Sequence, residues 1–224
     1  MPKIWFISDT HNKHRELQVP QGVDAVMHCG DESCQRKTKW NEPEARDFFD
    51  WYVGLDIACK VFVPGNHSTS VELGIVRAEE YPMVQFLIHQ SWQWQGLNIF
   101  GSPYTPWFFS WAYNIARPNL DALWAEIPDN TDILLTHGPP KGILDVTRDW
   151  RSKEPIHIGS KSLTRQVTSR IQPQLHAFGH LHDEEGIRNF GTLTLGPTQF
   201  LNCACCNLAG ELVNHGQVID LSAG

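Results

Sequence analysis

Seven side chains of metal-ligating type stand in five short motifs. Asp9 and His11 flank Thr10, Asp31 follows Gly30, Asn66 lies in Gly65-Asn66-His67, His137 stands alone, and His180 and His182 lie in Gly179-His180-Leu181-His182. Carboxylate and amide oxygens mixed with imidazole nitrogens suit manganese, iron or zinc better than calcium, and the set is large enough for a pair of ions. Asp9 with His11, and His180 with His182, are spaced by two, so both members of each pair can point one way from a strand end. Glycine directly before Asp31, Asn66 and His180 permits a tight turn or a close backbone approach. A pair of metals so held lowers the pKa of a shared water, so that hydroxide can attack a phosphoryl group; this is the chemistry of phosphoester hydrolysis.

Each motif directly follows an apolar run. Asp9 ends Ile4-Trp5-Phe6-Ile7-Ser8, Asp31 ends Ala25 to Gly30, Asn66 ends Val61 to Gly65, His137 ends Ile133 to Thr136, and His180 ends Leu175 to Gly179. If these runs are parallel strands, their carboxyl ends lie together, where ligand sites form in open α/β sheets. Further strands are predicted at Val84 to Ile88, Trp92 to Trp94, Leu97 to Phe100, Gly186 to Phe190, Thr192 to Leu195, Thr198 to Asn202 and Gln217 to Leu221. Ala45, Phe48, Phe49 and Tyr52 fall at helical spacing between Asn41 and Leu55, with Asn41 as cap and Glu44 three residues on. Pro118 to Ile127, and the segment after Ser160 with Leu163, Val167 and Ile171 on one face, also read as helices. Pro103 to Tyr113 reads as an aromatic loop, and Pro139 to Pro155 as a long connection fit to border a substrate. The alternation predicts an α/β chain of two packed sheets with helices outside, one domain over residues 1–224.

The order Asp-x-His, Gly-Asp, Gly-Asn-His, His, Gly-His-x-His resembles that of the calcineurin-like metallophosphoesterases. Phe6 to His11, Gly101-Ser102-Pro103-Tyr104-Thr105-Pro106-Trp107, Thr136-His137-Gly138-Pro139-Pro140 and Gly179 to His182 are similar to the MPPED-type metallophosphodiesterases. The resemblance implies a four-layer β-sandwich flanked by helices. It implies one metal on Asp9, His11, Asp31 and His182, another on Asp31, Asn66, His137 and His180, with Asp31 bridging and His67 facing the substrate. It implies a phosphodiester substrate, such as a cyclic nucleotide; the residues themselves say only phosphoester, leaving a phosphomonoesterase, a protein phosphatase or a low-turnover metal-binding scaffold as alternatives. In this mechanism His67 protonates the departing oxygen. Two positions depart from the family's habit: Cys34 stands where many relatives carry an acid, and Ser68 stands where an acid commonly follows the Gly-Asn-His histidine. A carboxylate beside His67 would favour its protonated form, and Ser68 cannot supply one.

The bulk properties narrow the rest. A formal charge of −7 argues against an extended nucleic-acid surface. No secretion signal or run of about 20 apolar residues is present, which points to a cytoplasmic protein with its six cysteines as thiols and no membrane partner. Trp107 to Trp111 could stack a nucleobase or pack the sheets together. His28 and His176 read as packing residues and His14 as a surface one; His89, His157 and His215 carry no partner signal. Arg148, Arg151, Lys153, Asp183, Glu184 and Glu185 read as solvated charges.

Overall fold

The computed structural model describes residues 2–221; Met1 and residues 222–224, the ends of the single-domain reading, lie outside the described residues. The strands are β1 (Lys3–Ile7), β2 (Ala25–His28), β3 (Cys59–Phe62), β4 (Gln85–Phe86), β5 (Gln90–Trp94), β6 (Leu97–Ser102), β7 (Thr105–Pro106) and β8 (Asn114–Ile115). They continue as β9 (Ile133–Thr136), β10 (Val146–Arg148), β11 (Pro155–His157), β12 (Leu175–Phe178), β13 (Gly191–Leu195), β14 (Thr198–Asn202) and β15 (Gln217–Asp220). The helices are α1 (Thr38–Val53), α2 (Thr69–Glu72), α3 (Leu120–Ala125) and α4 (Lys161–Gln166). One sheet runs β15-β1-β2-β3-β4 and the other β13-β14-β12-β9-β6-β5. Within them β1, β2 and β3 are parallel neighbours, as are β6, β9, β12 and β14.

Strands β2, β3, β9 and β12 are buried along their whole length, which explains their near-continuous apolar sequences. Alternate residues sort onto the two faces of each sheet. Ile4, Phe6, Met27 and Val61 meet Ile133, Leu135, Leu175, Ala177 and Leu201 between the sheets. Trp5, Ile7, Val26 and Phe62 face outward and are covered by Ala45, Phe48, Phe49 and Tyr52 of α1. Phe100, Leu134, Phe178 and Phe200 face the other way and pack on Leu120 and Trp124 of α3 and on Leu163, with Val167 and Ile171 in the π-helical turn that continues α4. The result is the expected layering of helix, sheet, sheet and helices. Among the described residues no helix is long and apolar enough to cross a membrane.

Three local expectations are corrected. Helix α1 starts at Thr38, so Asn41 is not its cap but a buried residue within it. The Asn41 amide donates to the backbone oxygens of Gln35 and His67, both at 2.7 Å, and its oxygen accepts from Ser70 N. Glu44 likewise accepts from the backbone N–H groups of Cys34 and Gln35 rather than from the helix start. These two side chains satisfy loops that no nearer group reaches. Gly186 to Phe190 is not a strand, because the Asp183 carboxylate takes the N–H groups of Asn189 and Phe190 that a ladder would need. The connection from Pro139 to Pro155 is not featureless; it contains β10, which pairs antiparallel with β11 from Val146↔His157 to Arg148↔Pro155.

Candidate metal centre

Asp9, Asp31 and Asn66 leave the carboxyl ends of β1, β2 and β3, while His137 and His180 leave those of β9 and β12. The two sheets thus deliver all five segments to one edge of the sandwich. Donor atoms of Asp9, His11 and His182 lie within 4.8 Å of one another, as do those of Asp31, His137 and His180, and those of His11, Asp31 and His67. Asn66 Oδ1 lies 2.8 Å from His137 Nε2, which places the seventh side chain in the Asp31 group. All seven predicted ligands and His67 are therefore neighbours, and Asp31 belongs to two of the three clusters.

The turns that make this possible are backbone-strained. Asp9, His11, Asp31 and His180 have φ of 51°, 40°, 60° and 67°, a left-handed conformation that costs a non-glycine residue on the order of 1 kcal/mol or more. Cross-links between the loops hold it in place: Asp9 N donates to Gly30 O at 2.8 Å, and His11 N to Asp31 O at 3.1 Å. Close approach is equally demanding. A methyl group on Gly65 would strike the Asp31 carboxylate, and one on Gly179 would strike that of Asp9.

Each aspartate divides its two oxygens. Asp9 Oδ2 accepts from His180 N at 2.8 Å, and Asp31 Oδ1 accepts from His67 N at 2.7 Å. The other oxygens point into the centre. Asp9 Oδ1 is buried, receives no hydrogen bond, and lies 3.2 Å from His182 Nε2 and 3.8 Å from His11 Nε2. Asp31 Oδ2 lies 3.4 Å from His137 Nε2 and 3.9 Å from His67 Nε2. A buried carboxylate oxygen without a donor, ringed by imidazole nitrogens, fits a divalent cation.

The histidines are oriented from behind. The Nδ1 atoms of His11, His137, His182 and His67 lie 3.0, 2.9, 3.1 and 2.7 Å from the backbone oxygens of Ser33, Cys29, Asn207 and Cys34. Because a carbonyl only accepts, the proton sits on Nδ1 and the Nε2 lone pair is available to the centre. His28 and His176 are buried as expected and sit one step further out, bonded to Thr10 and Thr136 beside the ligands. His14 is buried rather than surface-exposed, held by Asp47 and packed against Phe48 and Trp51.

Burial pushes His11 down to about 4 and His180 down to about 3, so both are neutral at physiological pH. Burial works the same way on His137, but the Asp31 carboxylate outweighs it and lifts this histidine to about 9. His182 is raised too, its burial offset by Asp9. Burial would raise Asp9 and Asp31, yet the surrounding histidines hold both below the usual carboxylate range. Metal loading must therefore displace the His137 proton. Calorimetric titration at pH 7.5 in buffers of different ionisation enthalpy is expected to show at least about one proton released per chain. Affinity should strengthen about tenfold per pH unit up to pH 9, in proportion to the neutral His137 fraction. Loading without proton release would contradict this assignment of the charges.

Ser68, which stands where an acid commonly follows the histidine, is itself held by a carboxylate from the neighbouring loop. Glu32 is fully buried, accepts from Ser68 Oγ at 2.5 Å and from Ser33 Oγ at 3.1 Å, and burial pushes it up to about 7. Ser68 Oγ in turn accepts from Gly65 N at 2.8 Å. The chain Glu32–Ser68–Gly65 thus secures the Asn66–His67 turn. An acid directly after a ligand reads in sequence as a solvated loop charge, so this role was not visible there.

Aromatic rings border the centre on one side. Phe108 lies 5.3 Å from His180 and 5.6 Å from Trp111, and Trp111 lies 4.6 Å from His67, ring centre to ring centre. The Arg36 guanidinium covers the other face of this run, 3.5 Å from the Trp111 ring centre, and donates to Ser110 O. None of Trp107 to Trp111 belongs to the clusters between or outside the sheets, so the loop does not serve to pack them. Beyond His182, the acids and bases expected to be solvated are tied together: Glu184 accepts from Thr147 Oγ1 and Arg148 N, and Arg148 donates to Glu185 O. The cysteines are free; five are buried and Cys34 is exposed.

The sequence profile of the calcineurin-like phosphoesterases matches residues 2–184. The chain is 32% identical over 241 aligned residues to human Metallophosphoesterase domain-containing protein 1, covering 96% of this chain and 69% of that protein. It is 31% identical to a Caenorhabditis elegans UPF0046 protein, covering 94% of this chain and 72% of that one. Among solved structures, phosphopantetheinyl hydrolase from Mycobacterium tuberculosis superposes with a TM-score of 0.59 at 14% identity, over 97% of this chain and 95% of that one, a likeness of fold alone.

Proposed function

Because this chain belongs to the calcineurin-like phosphoesterase family, and so is a metal-dependent phosphoesterase, we propose that it is a binuclear phosphodiesterase acting on small diesters, cyclic nucleotides among them. The observation that carries this reading is the divided pair of aspartates: each fixes a loop with one oxygen and offers the other to the centre. One half-site takes Asp9, His11, Asp31 and His182, the other Asp31, Asn66, His137 and His180, with Asp31 shared. Two bound ions, manganese, iron or zinc by the donor chemistry, supply a hydroxide near neutral pH and positive charge for the phosphoryl oxygens. Asp31 and the loop cross-links fix the spacing of the halves. His67 carries a proton on Nδ1, held by Cys34 O, and when doubly protonated can deliver its Nε2 proton to the departing oxygen. The free thiols suit a reducing cytoplasm.

Metal analysis with an ester panel tests the proposal. The protein supplied with manganese, iron or zinc is expected to hold two ions per chain and to hydrolyse bis-nitrophenyl phosphate at least about tenfold more efficiently than nitrophenyl phosphate, with activity on cyclic nucleotides. Preference for the monoester would make it a phosphomonoesterase, and two bound ions without turnover of any ester would make it a scaffold.

A further inference from the structure

Four tryptophan and phenylalanine rings stand exposed among the described residues, and all four lie on loops that border the metal centre. Trp40 is 53% exposed, Trp107 62%, Phe109 75% and Trp150 73%. None belongs to a core cluster, so the packing of the sheets does not call for them. Residues 35–40 are fastened to the centre at both ends: His67 Nδ1 lies against Cys34 O, and the Asn41 amide donates to His67 O. Residues 107–117 run past it, with Phe108 beside His180 and Trp111 beside His67. Residues 148–154 turn the β10–β11 hairpin, where the Asp149 carboxylate accepts from Arg151 N and Ser152 N and Trp150 is left in solvent. Each loop meets the next. Arg36 donates to Ser110 O at 2.7 Å, and Trp107 and Thr147 line one cavity beside His180. Together they make a continuous rim.

The charge of this rim is opposite to that of the rest of the chain. Residues 35–40, 107–117 and 148–154 hold seven lysines and arginines against two acids, while the remaining residues hold eleven against twenty-three. Arg148 is taken up by Glu184. Lys37, Lys39, Arg151 and Lys153 are exposed and join no salt bridge among the described residues. Lys39 Nζ lies 4.7 Å from the Trp40 ring centre, and the Arg151 guanidinium lies 4.4 Å from that of Trp150. Ring and cation are thus presented together at two places. That pairing suits the boundary of a bilayer, where an indole sits at headgroup level and a cation meets lipid phosphate. It suits a single-stranded nucleic acid less well, because base stacking needs open ring faces and these two are partly covered. We propose that the rim docks this protein on an anionic phospholipid surface, with Trp40, Phe109 and Trp150 among the headgroups and Lys37, Lys39, Arg151 and Lys153 against the phosphates. The sequence lacks a run that could span a bilayer, but resting on a surface needs none. The acidic remainder of the chain is repelled by the same surface, so it orients the rim towards the lipid.

Vesicle sedimentation with the metal-loaded full chain tests the docking, and it needs no turnover. The protein is expected to sediment with vesicles of phosphatidylcholine and phosphatidylserine and to stay in solution with phosphatidylcholine alone. Raising the salt from about 0.1 M to about 1 M should weaken binding at least about tenfold, because the screening length falls from about 10 Å to about 3 Å. Each base near the surface is worth about fivefold in affinity, so Lys37→Ala with Lys39→Ala should bind about thirtyfold more weakly. Trp40→Ala with Trp150→Ala should lose at least about tenfold, and Trp40→Phe with Trp150→Phe should stay within about threefold of the wild type. All these side chains are exposed, so melting temperatures should match the wild type and the losses should report docking rather than unfolding. Equal binding to both kinds of vesicle, or affinity that neither the lysine nor the tryptophan pair changes, would overturn the proposal. Release by excess inorganic phosphate would place the headgroup on the metal centre instead of the rim. Capture of a single-stranded oligonucleotide but not of vesicles, lost in the same variants, would make the rim a nucleic-acid surface.

Discussion

Asp31→Asn is expected to lower hydrolysis of an activated diester by about a thousandfold or more, with bound metal falling from two ions to one or none per chain. The substitution is discriminating because asparagine keeps the structural half of the residue. Its amide oxygen can still accept from His67 N, as Asp31 Oδ1 does at 2.7 Å, so the Asn66–His67 turn should persist. What is lost is the charge on the atom that faces His137 Nε2 at 3.4 Å and His67 Nε2 at 3.9 Å. The same change should alter how the metal-free protein responds to pH. Burial opposes ionisation of Asp31, but the histidines hold it well below 3.8, so its contribution is present above that value and is lost as pH falls. His137 is lifted to about 9 from 6.5, so its contribution is complete below 6.5 and is lost as pH rises through 9. The pair therefore supports the metal-free fold between about pH 4 and 9. In Asp31→Asn, burial of His137 is opposed only by the weaker pulls of Asp9 and Cys29 O, and that window should flatten, which thermal melts of metal-free protein at pH 6 and pH 10 would read. Two ions still bound in the variant, or activity within tenfold of wild type, would place the shared ligand elsewhere.

The clustering of the candidate ligands was legible in sequence for a physical reason. Metal chemistry admits few residue types, and a parallel sheet puts them directly after apolar runs, so Asp9, Asp31, Asn66, His137 and His180 announce themselves by position. The four layers were legible because alternate residues of buried strands must satisfy two different neighbours. What holds the ligands was not. Asn41 reaches His67 O across 26 residues, Ser68 meets Glu32 across 36, and Arg36 reaches Ser110 across 74. Periodicity reports which face a residue takes, not which distant group it meets there. Asn41 thus looked like a cap and His14 like a surface residue. The same limit hid the strand-end strain: nothing in an aspartate or histidine codon-by-codon pattern signals φ near +50°, a conformation imposed by the cross-links between loops.

The sharpest consequence concerns His67, whose environment differs from the one its sequence neighbours suggest. No carboxylate follows it; instead Cys34 O lies 2.7 Å from Nδ1 and the Trp111 ring lies at 4.6 Å on one side, with His11 at 4.8 Å on another. A backbone carbonyl orients the imidazole as well as a carboxylate would, and it leaves Nε2 directed towards the Asp31 carboxylate, 3.9 Å away. His67→Ala is therefore expected to reduce kcat on alkyl diesters by about 10²–10⁴-fold, the usual worth of a positioned acid. Bis-nitrophenyl phosphate should lose less than about tenfold, because nitrophenolate departs without a proton. Metal content should stay at two ions, since the alanine keeps the backbone N–H that Asp31 Oδ1 accepts. Cys34→Ala provides the internal contrast: the carbonyl that holds Nδ1 belongs to the main chain, so removing the thiol should leave the leaving-group dependence of the wild type. Equal losses on both esters in His67→Ala would assign this residue to substrate binding, and the departing oxygen would then take its proton from solvent.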